Sequence, residues 1–334
     1  MSPDRLTIQW HLTDICNYRC RHCYQEGYSD SGPDFQKLLE YLRKFEEFIV
    51  PFKQSNKDFR AHINFTGGEP FLKPELLDLL EVVNKNGFFS FGILSNGLLL
   101  SENELLRLKQ LKPRFVQLSL EGNEKINDSI RGKGTFREII HAIKTYKKLG
   151  IRVLISFTAN SKNFKTFPDV VRIARKLKVY KVWTDRYLPN DKKDELSLST
   201  SQVQEFFQII GNEQKRKISN FFSKTIISSG RALQFLTNGG LPYTCSAGTT
   251  LIAILPNGDI LPCRRLPIKI GNLDCDDLTD VYQNNSLLND LRSEKDSENE
   301  CSKCYYNKSC NGGLKCLSYI SYGDFNRKDP NCWI

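Results

Sequence analysis

Two hydrophobic periods alternate along the first two thirds of the chain. Short stretches that are apolar at alternate positions or throughout are followed by longer stretches with apolar residues three and four apart, and the pairing recurs six times. The strands this predicts are "RLTIQWHL" (5–12), "AHINFT" (61–66), "FFSFGILSN" (88–96), "RFVQLSL" (114–120), "IRVLISFTAN" (151–160) and "YKVWTDRYL" (180–188). The helices are "DFQKLLEYLRKFEEFIV" (34–50), "KPELLDLLEVVNKNG" (73–87), "SENELLRLKQL" (101–111), "GTFREIIHAIKTYKKLG" (134–150), "FKTFPDVVRIARKLK" (164–178) and "STSQVQEFFQIIGNEQK" (199–215). Leu38, Leu42, Phe45 and Ile49 share one face of the first. Pro74 opens the second in its first turn and Gly87 closes it, Ser101 is the expected N-cap of the third, and Gly150 ends the fourth.

Strands alternating with helices at this spacing give a parallel sheet, an α/β fold. Six units are too few for a closed eight-stranded barrel and fit a partial (β/α)6 TIM-like barrel, whose chemistry would sit where the strand C-termini meet the following loops. The Gly-, Pro- and Ser-rich stretch "SSGRALQFLTNGGLPYTC" (228–245) marks a boundary. The expected division is a barrel over 1–215, a linking segment over 216–240 and a small cysteine-rich domain over 241–334. That last domain includes a hairpin, "TLIAILPNGDILPC" (250–263), turning at Pro256-Asn257-Gly258-Asp259.

Composition narrows the class. The 334 residues are 40% hydrophobic and 26% charged, as in ordinary globular proteins. No stretch approaches the ~20 apolar residues that span a bilayer, so no membrane partner is expected. The N-terminal residues lack an apolar signal core, which makes a cytoplasmic protein the expectation. The net charge of +10 comes from lysines spread along the chain, not from a basic block with interleaved aromatics, so nucleic acid is not the expected partner. Solvated helix faces account for most of it, and an acidic peptide would also be attracted.

Eleven cysteines, an odd number without a secretory signal, argue for metal binding over a disulfide framework. They are segregated. Cys16, Cys20 and Cys23 follow the first strand, none occurs from there to Cys245, and the rest lie at 245, 263, 275, 301, 304, 310, 316 and 332. Structural zinc needs four ligands. His22, the fourth candidate near the first three, lies between Cys20 and Cys23 and is poorly placed to complete a tetrahedron. A 4Fe-4S cluster with one open iron fits better.

The spacing of Cys16, Cys20 and Cys23 resembles the CxxxCxxC signature of radical S-adenosylmethionine enzymes, with His22 where that family usually has an aromatic residue. The resemblance implies a 4Fe-4S cluster on the three thiolates, with S-adenosylmethionine chelating the fourth iron. "TGGEP" (66–70) looks like the family's glycine-rich stretch, which brings Gly67, Gly68, Glu69 and Pro70 to the cofactor's methionine amino group. Ser95 and Asn96 of "SNG" would reach the ribose. Ser119 of "SLEG" and Arg131 of "IRGKGTF" look like the pair that holds the carboxylate, a task a guanidinium suits. The resemblance covers roughly residues 5–210.

The tail resembles the SPASM extension of the same family. Gly258 precedes Cys263 by five residues, "CSKCYYNKSC" supplies Cys301, Cys304 and Cys310, and Cys316 and Cys332 follow. Cys316 departs from the pattern, six residues after Cys310 where four are usual. By resemblance, Cys301, Cys304, Cys310 and Cys332 close one auxiliary cluster, and Cys245, Cys263 and Cys316 hold another, which makes three 4Fe-4S clusters in all. The three-thiolate set is either open for a substrate or closed by Cys275, unless Cys275 is a packed bystander.

The implied activity is generation of a 5′-deoxyadenosyl radical that modifies a ribosomally made precursor peptide by a thioether or carbon–carbon cross-link, or by epimerisation. The alternatives are a sulfatase-type maturase, disfavoured by Arg264 where that group has Asp; a tetrapyrrole-modifying enzyme; and a non-catalytic iron–sulfur or zinc scaffold. The implied partners are the peptide and an electron donor such as flavodoxin or ferredoxin. The barrel begins almost at residue 5, so recognition of a leader is built in, supplied by a separate protein, or unnecessary. No acid–base or hydrogen-donating residue is evident.

Overall fold

The structure, a computed structural model, describes residues 3–25, 27–98, 100–189, 194–216, 224–228, 232–293 and 300–334. Parts of the expected linking segment, 217–223 and 229–231, lie outside the described residues. The six expected strands are β1 (Arg5–His11), β2 (Arg60–Thr66), β3 (Ser90–Ser95), β4 (Phe115–Ser119), β5 (Val153–Ala159) and β6 (Lys181–Arg186). Each pairs in parallel with the next in sequence. Strands added in one direction keep their right-handed crossovers on one side of the sheet. One face therefore packs on helices and the other turns inward, as in a barrel.

The residues along β1 show why this chain adopts that arrangement. Leu6, Ile8 and Trp10 are fully buried, and the Trp10 ring meets Phe45 edge-on at 4.8 Å. Gln9, between them, lines an interior cavity together with Asn64 of β2, Gln117 of β4 and Ser156 of β5. Along β1 the apolar residues thus face the helices and the polar Gln9 faces inward, while Leu94, Phe115, Phe157 and Trp183 add apolar surface to the cavity wall.

The helices are α1 (Phe35–Ser55), α2 (Leu76–Asn86), α3 (Glu102–Leu111), α4 (Glu124–Arg131), α5 (Thr135–Lys148), α6 (Phe167–Lys176) and α7 (Thr200–Lys215). Helix α1 runs through Pro51, past its expected end at 50. Its buried stripe continues to Phe52, whose ring stacks on Phe59 at 5.3 Å, and this packing outweighs the hydrogen bond that Pro51 removes. Pro74 stands in the turn before α2 rather than inside its first turn, and Gly87 caps the helix at φ +68°. Ser101 and Glu104 form a capping box on α3. Helix α4 was not expected; Asn123 caps it.

The tail joins the barrel sheet. The expected hairpin forms from β8 (Leu251–Ile254) and β9 (Asp259–Leu261), and β8 also pairs in parallel with β1, from Thr7↔Leu251 to Trp10↔Ile254. Strand β7 (Ile226–Ser228) extends the other side beyond β6, and β10 (Gly271–Asn272) lies on β9. The result is one open ten-stranded sheet in the order β10-β9-β8-β1-β2-β3-β4-β5-β6-β7, a partial barrel carrying a cysteine-rich extension. Among the described residues no helix is long and apolar enough to cross a membrane.

Candidate active site

The loop leaving β1 is fastened on three sides. Thr13 donates its hydroxyl to the Asp30 carbonyl (2.8 Å), and the Asp14 amide donates to the same oxygen (2.7 Å). The Gly68 amide donates to the Thr13 carbonyl (2.7 Å) and the Glu69 amide to the Ile15 carbonyl (2.9 Å). A Cβ on Gly67 would lie 2.3 Å from the Thr13 carbonyl oxygen, and one on Gly68 would lie 2.2 Å from that of Ile15. What the two glycines admit is therefore the backbone that leads into Cys16. Asn96 supplies the third attachment, donating from Nδ2 to Asn17 (2.7 Å).

Glu69 lies beneath this loop, fully buried, accepting from Ser95 Oγ (2.9 Å), the Asn96 amide (2.7 Å) and the Phe71 amide (3.1 Å). Burial pushes its carboxyl up to about 7 despite these donors. Glu121 forms a second buried centre. It accepts from Arg131 Nη1 (3.0 Å) and the Thr158 amide (2.9 Å), and stands 3.3 Å from His22 Nε2. Arg131 Nε and His22 Nδ1 are buried without partners, so both retain capacity toward a bound group.

A cavity of about 420 Å3 occupies the barrel interior. Cys16, Cys20 and Cys23 line it, as do His22, Gly67, Gly68, Ser95, Asn96, Ser119 and Arg131. Glu69 and Pro70 do not; they stand behind the wall. The same cavity is lined by Cys245, Cys263 and Cys316 from the tail. Cys301, Cys304, Cys310 and Cys332 surround a second, separate cavity of about 20 Å3. Cys275 is exposed and lines neither. The ten remaining cysteines thus fall into two sets, six around the larger cavity and four around the smaller.

The donor sets suit metal clusters. Burial pushes the thiols of Cys16 and Cys20 up, that of Cys310 to about 11 and that of Cys316 to about 12. A bound cation is what releases such protons. Arg265, ion-paired with Asp185, sets a positive charge against Cys245, Cys263 and Cys316. Among the described residues no three His, Cys, Asp or Glu side chains close on one point, as a single metal ion requires; the thiols stand around cavities. The larger cavity falls within the ~300–1,000 Å3 of small-molecule sites.

The family model described as the Radical SAM superfamily matches residues 10–177. The chain belongs to the radical SAM superfamily. A second model, SPASM, described as an iron-sulfur cluster-binding domain, matches residues 245–305. This radical SAM enzyme therefore uses S-adenosylmethionine and iron–sulfur clusters. Among curated relatives, an AdoMet-dependent heme synthase of Methanosarcina barkeri is 23% identical, covering 97% of this chain and 95% of its own. The mycofactocin maturase MftC of Mycobacterium tuberculosis is 25% identical, covering 98% of this chain and 82% of its own. Among solved structures, Streptococcus suis SuiB bound to S-adenosylmethionine superposes with a TM-score of 0.79 at 19% identity, covering 99% of this chain and 77% of that one. Bound to its precursor peptide SuiA, it gives 0.77 at 18% identity. These likenesses bear out the fold.

Several lining residues escaped the sequence reading. Glu121 stands inside the quoted "SLEG" and Tyr24 directly follows Cys23. Gln9, Asn64 and Gln117 were visible as polar interruptions in apolar strands. The Arg265–Asp185 pair joins positions 80 residues apart and carries no local signal.

Proposed function

We propose that this enzyme modifies a peptide, with the residue to be altered held between two thiol-ligated clusters. The observation that carries the reading is the single cavity lined at once by Cys16, Cys20 and Cys23 and by Cys245, Cys263 and Cys316. In this reading Cys16, Cys20 and Cys23 hold the 4Fe-4S cluster, while Gly67, Gly68, Ser95, Asn96, Ser119 and Arg131 bound the space for S-adenosylmethionine. Arg131 Nε and His22 Nδ1 are the donors available to it, and Glu69 and Pro70 shape the wall from behind. When bound, the cofactor and its cluster supply a 5′-deoxyadenosyl radical that takes hydrogen from an unactivated C–H bond.

The remaining thiols extend this to three clusters, roughly twelve irons per chain. Cys301, Cys304, Cys310 and Cys332 offer a closed set. Cys245, Cys263 and Cys316 offer three ligands and an open position facing the cavity, suited to a substrate thiolate or to taking up an electron. The electron donor in this reading is a flavodoxin or ferredoxin, and the compartment is the cytoplasm.

Modification of a tetrapyrrole precursor is the second reading, favoured by the heme synthase relative that aligns over nearly all of both chains. One experiment separates them. The anaerobically reconstituted enzyme is offered short peptides encoded beside its gene and, separately, a tetrapyrrole carboxylic acid. Loss of two hydrogens from a peptide, or deuterium uptake from heavy water, supports the first reading; decarboxylation of the tetrapyrrole alone refutes it.

A further inference from the structure

Four arginines line the large cavity, and three of them face a carboxylate. Arg131 pairs with Glu121 at 3.0 Å, Arg186 with Asp329, and Arg265 with Asp185. Arg264 has no carboxylate within ion-pair distance among the described residues. Its guanidinium lies over the Tyr24 ring, 4.7 Å from the centroid, and Nη2 donates to the Tyr24 carbonyl at 3.5 Å. This holds the group by its flat face and one nitrogen, and leaves most of a five-donor fork unused.

The two neighbouring arginines have different surroundings. The charge of Arg265 acts on Cys245, Cys263 and Cys316. That of Arg264 acts instead on Tyr24, His11 and Asp14. His11 is buried and held neutral, and Asp14 stays beyond ion-pair distance, so neither neutralises the guanidinium. Arg265, itself paired with Asp185, is the guanidinium whose charge acts on the second thiol set. A half-buried cation lining a substrate cavity without its own counter-charge is the arrangement that recognises an anion.

We infer that Arg264 selects a substrate carboxylate: the peptide entering this cavity carries an acidic group, an Asp or Glu side chain or its own C-terminus, close to the residue that is modified. The inference rests on the peptide reading above and adds a specificity-determining residue and a substrate class to it. A substrate carboxylate would complete the fork that Tyr24 leaves open, with two parallel N–H···O bonds fixing the peptide's register.

The test is an array of short synthetic peptides, each made with Asp or Glu, with Asn or Gln, and with Lys at the same places, and each with a free or amidated C-terminus. The array is probed with anaerobically reconstituted wild type, Arg264→Lys, Arg264→Gln and Arg264→Glu. Wild type should hold acidic peptides at least about tenfold more tightly than their amides, or ~1.4 kcal/mol. Arg264→Lys should keep the sign of that preference, Arg264→Gln should lose it, and Arg264→Glu should invert it toward Lys. The side-chain and C-terminal arms show which carboxylate is read, and either supports the assignment. Peptide binding whose charge preference is the same in wild type, Arg264→Gln and Arg264→Glu overturns it while leaving the peptide reading intact. Wild type that binds no peptide removes the peptide reading, and this inference with it. If Arg264→Glu does not fold, Arg264→Gln against Arg264→Lys decides.

Discussion

Asp329→Ala tests whether one buried ion pair holds the cysteine-rich tail on the barrel. Asp329 is 1% exposed and Arg186 4%. The carboxylate accepts from both Arg186 terminal nitrogens, from the Leu314 amide (3.2 Å) and from the Asn331 amide (3.0 Å). It therefore joins the end of β6 to the approach to Cys316 and to the residue before Cys332. Removing it leaves a buried guanidinium without counter-charge, which costs about 3–5 kcal/mol, and deprives two amides of an acceptor at about 1 kcal/mol each. A loss of about 5–7 kcal/mol should lower the anaerobic calorimetric midpoint by about 7–10 °C. The iron content should fall as Cys316 and Cys332 lose their positions. The double variant Arg186→Met/Asp329→Leu should recover most of the midpoint, since an apolar pair of similar size replaces a buried ion pair with little penalty. A midpoint for Asp329→Ala within about 1 kcal/mol of wild type, or a double variant no better than the single, would refute the reasoning.

Replacing Cys16, Cys20 and Cys23 together by Ala should leave about two thirds of the iron and abolish 5′-deoxyadenosine formation; product from this variant would misplace the active cluster. Cys275 is exposed and lines neither cavity, so Cys275→Ala should keep its full iron content and activity, and loss of one cluster's worth of iron would make it a ligand. Burial raises the Glu69 carboxyl from 4.5 to about 7, so folding stability should fall as pH rises between those values and level off above them. Glu69→Gln should remove that slope in urea titrations, and an unchanged slope would assign it to another group.

Much of this was legible because it is local. The strand and helix periods, the Ser101 cap and the Gly87 stop depend on neighbours within a turn or two. The cysteine-rich stretches could be found because their spacing is written locally, as in "CNYRC" and "CSKC". The partner of β8 could not be read. Four apolar residues, Leu251–Ile254, fit any parallel edge, and only the completed barrel shows that β1 has one free. Helix α4 was missed because eight residues with Ile126 and Ile130 as their apolar members give too little periodicity. The glycines of "TGGEP" line the larger cavity, but their immediate neighbour is the chain's own loop at Thr13–Ile15.

The pairing of β8 with β1 bears on how the two cavity-lining thiol sets are held relative to each other. Cys16 follows β1 and Cys245 precedes β8, so the strands that carry them share a ladder of backbone hydrogen bonds in the register Thr7↔Leu251 to Trp10↔Ile254. A slip of one residue in β1 would turn Trp10 inward and Gln9 toward α1, because side chains alternate across a strand. Trp10 is fully buried against Phe45 and Phe65, and Ile252 and Ile254 are buried beside it. The slip would expose that apolar surface to the cavity and bury an amide without a partner, at several kcal/mol. The spacing of the two thiol sets across the cavity is therefore set by the same outward-facing residues that form the core, and Gln9 between them is left to line that cavity.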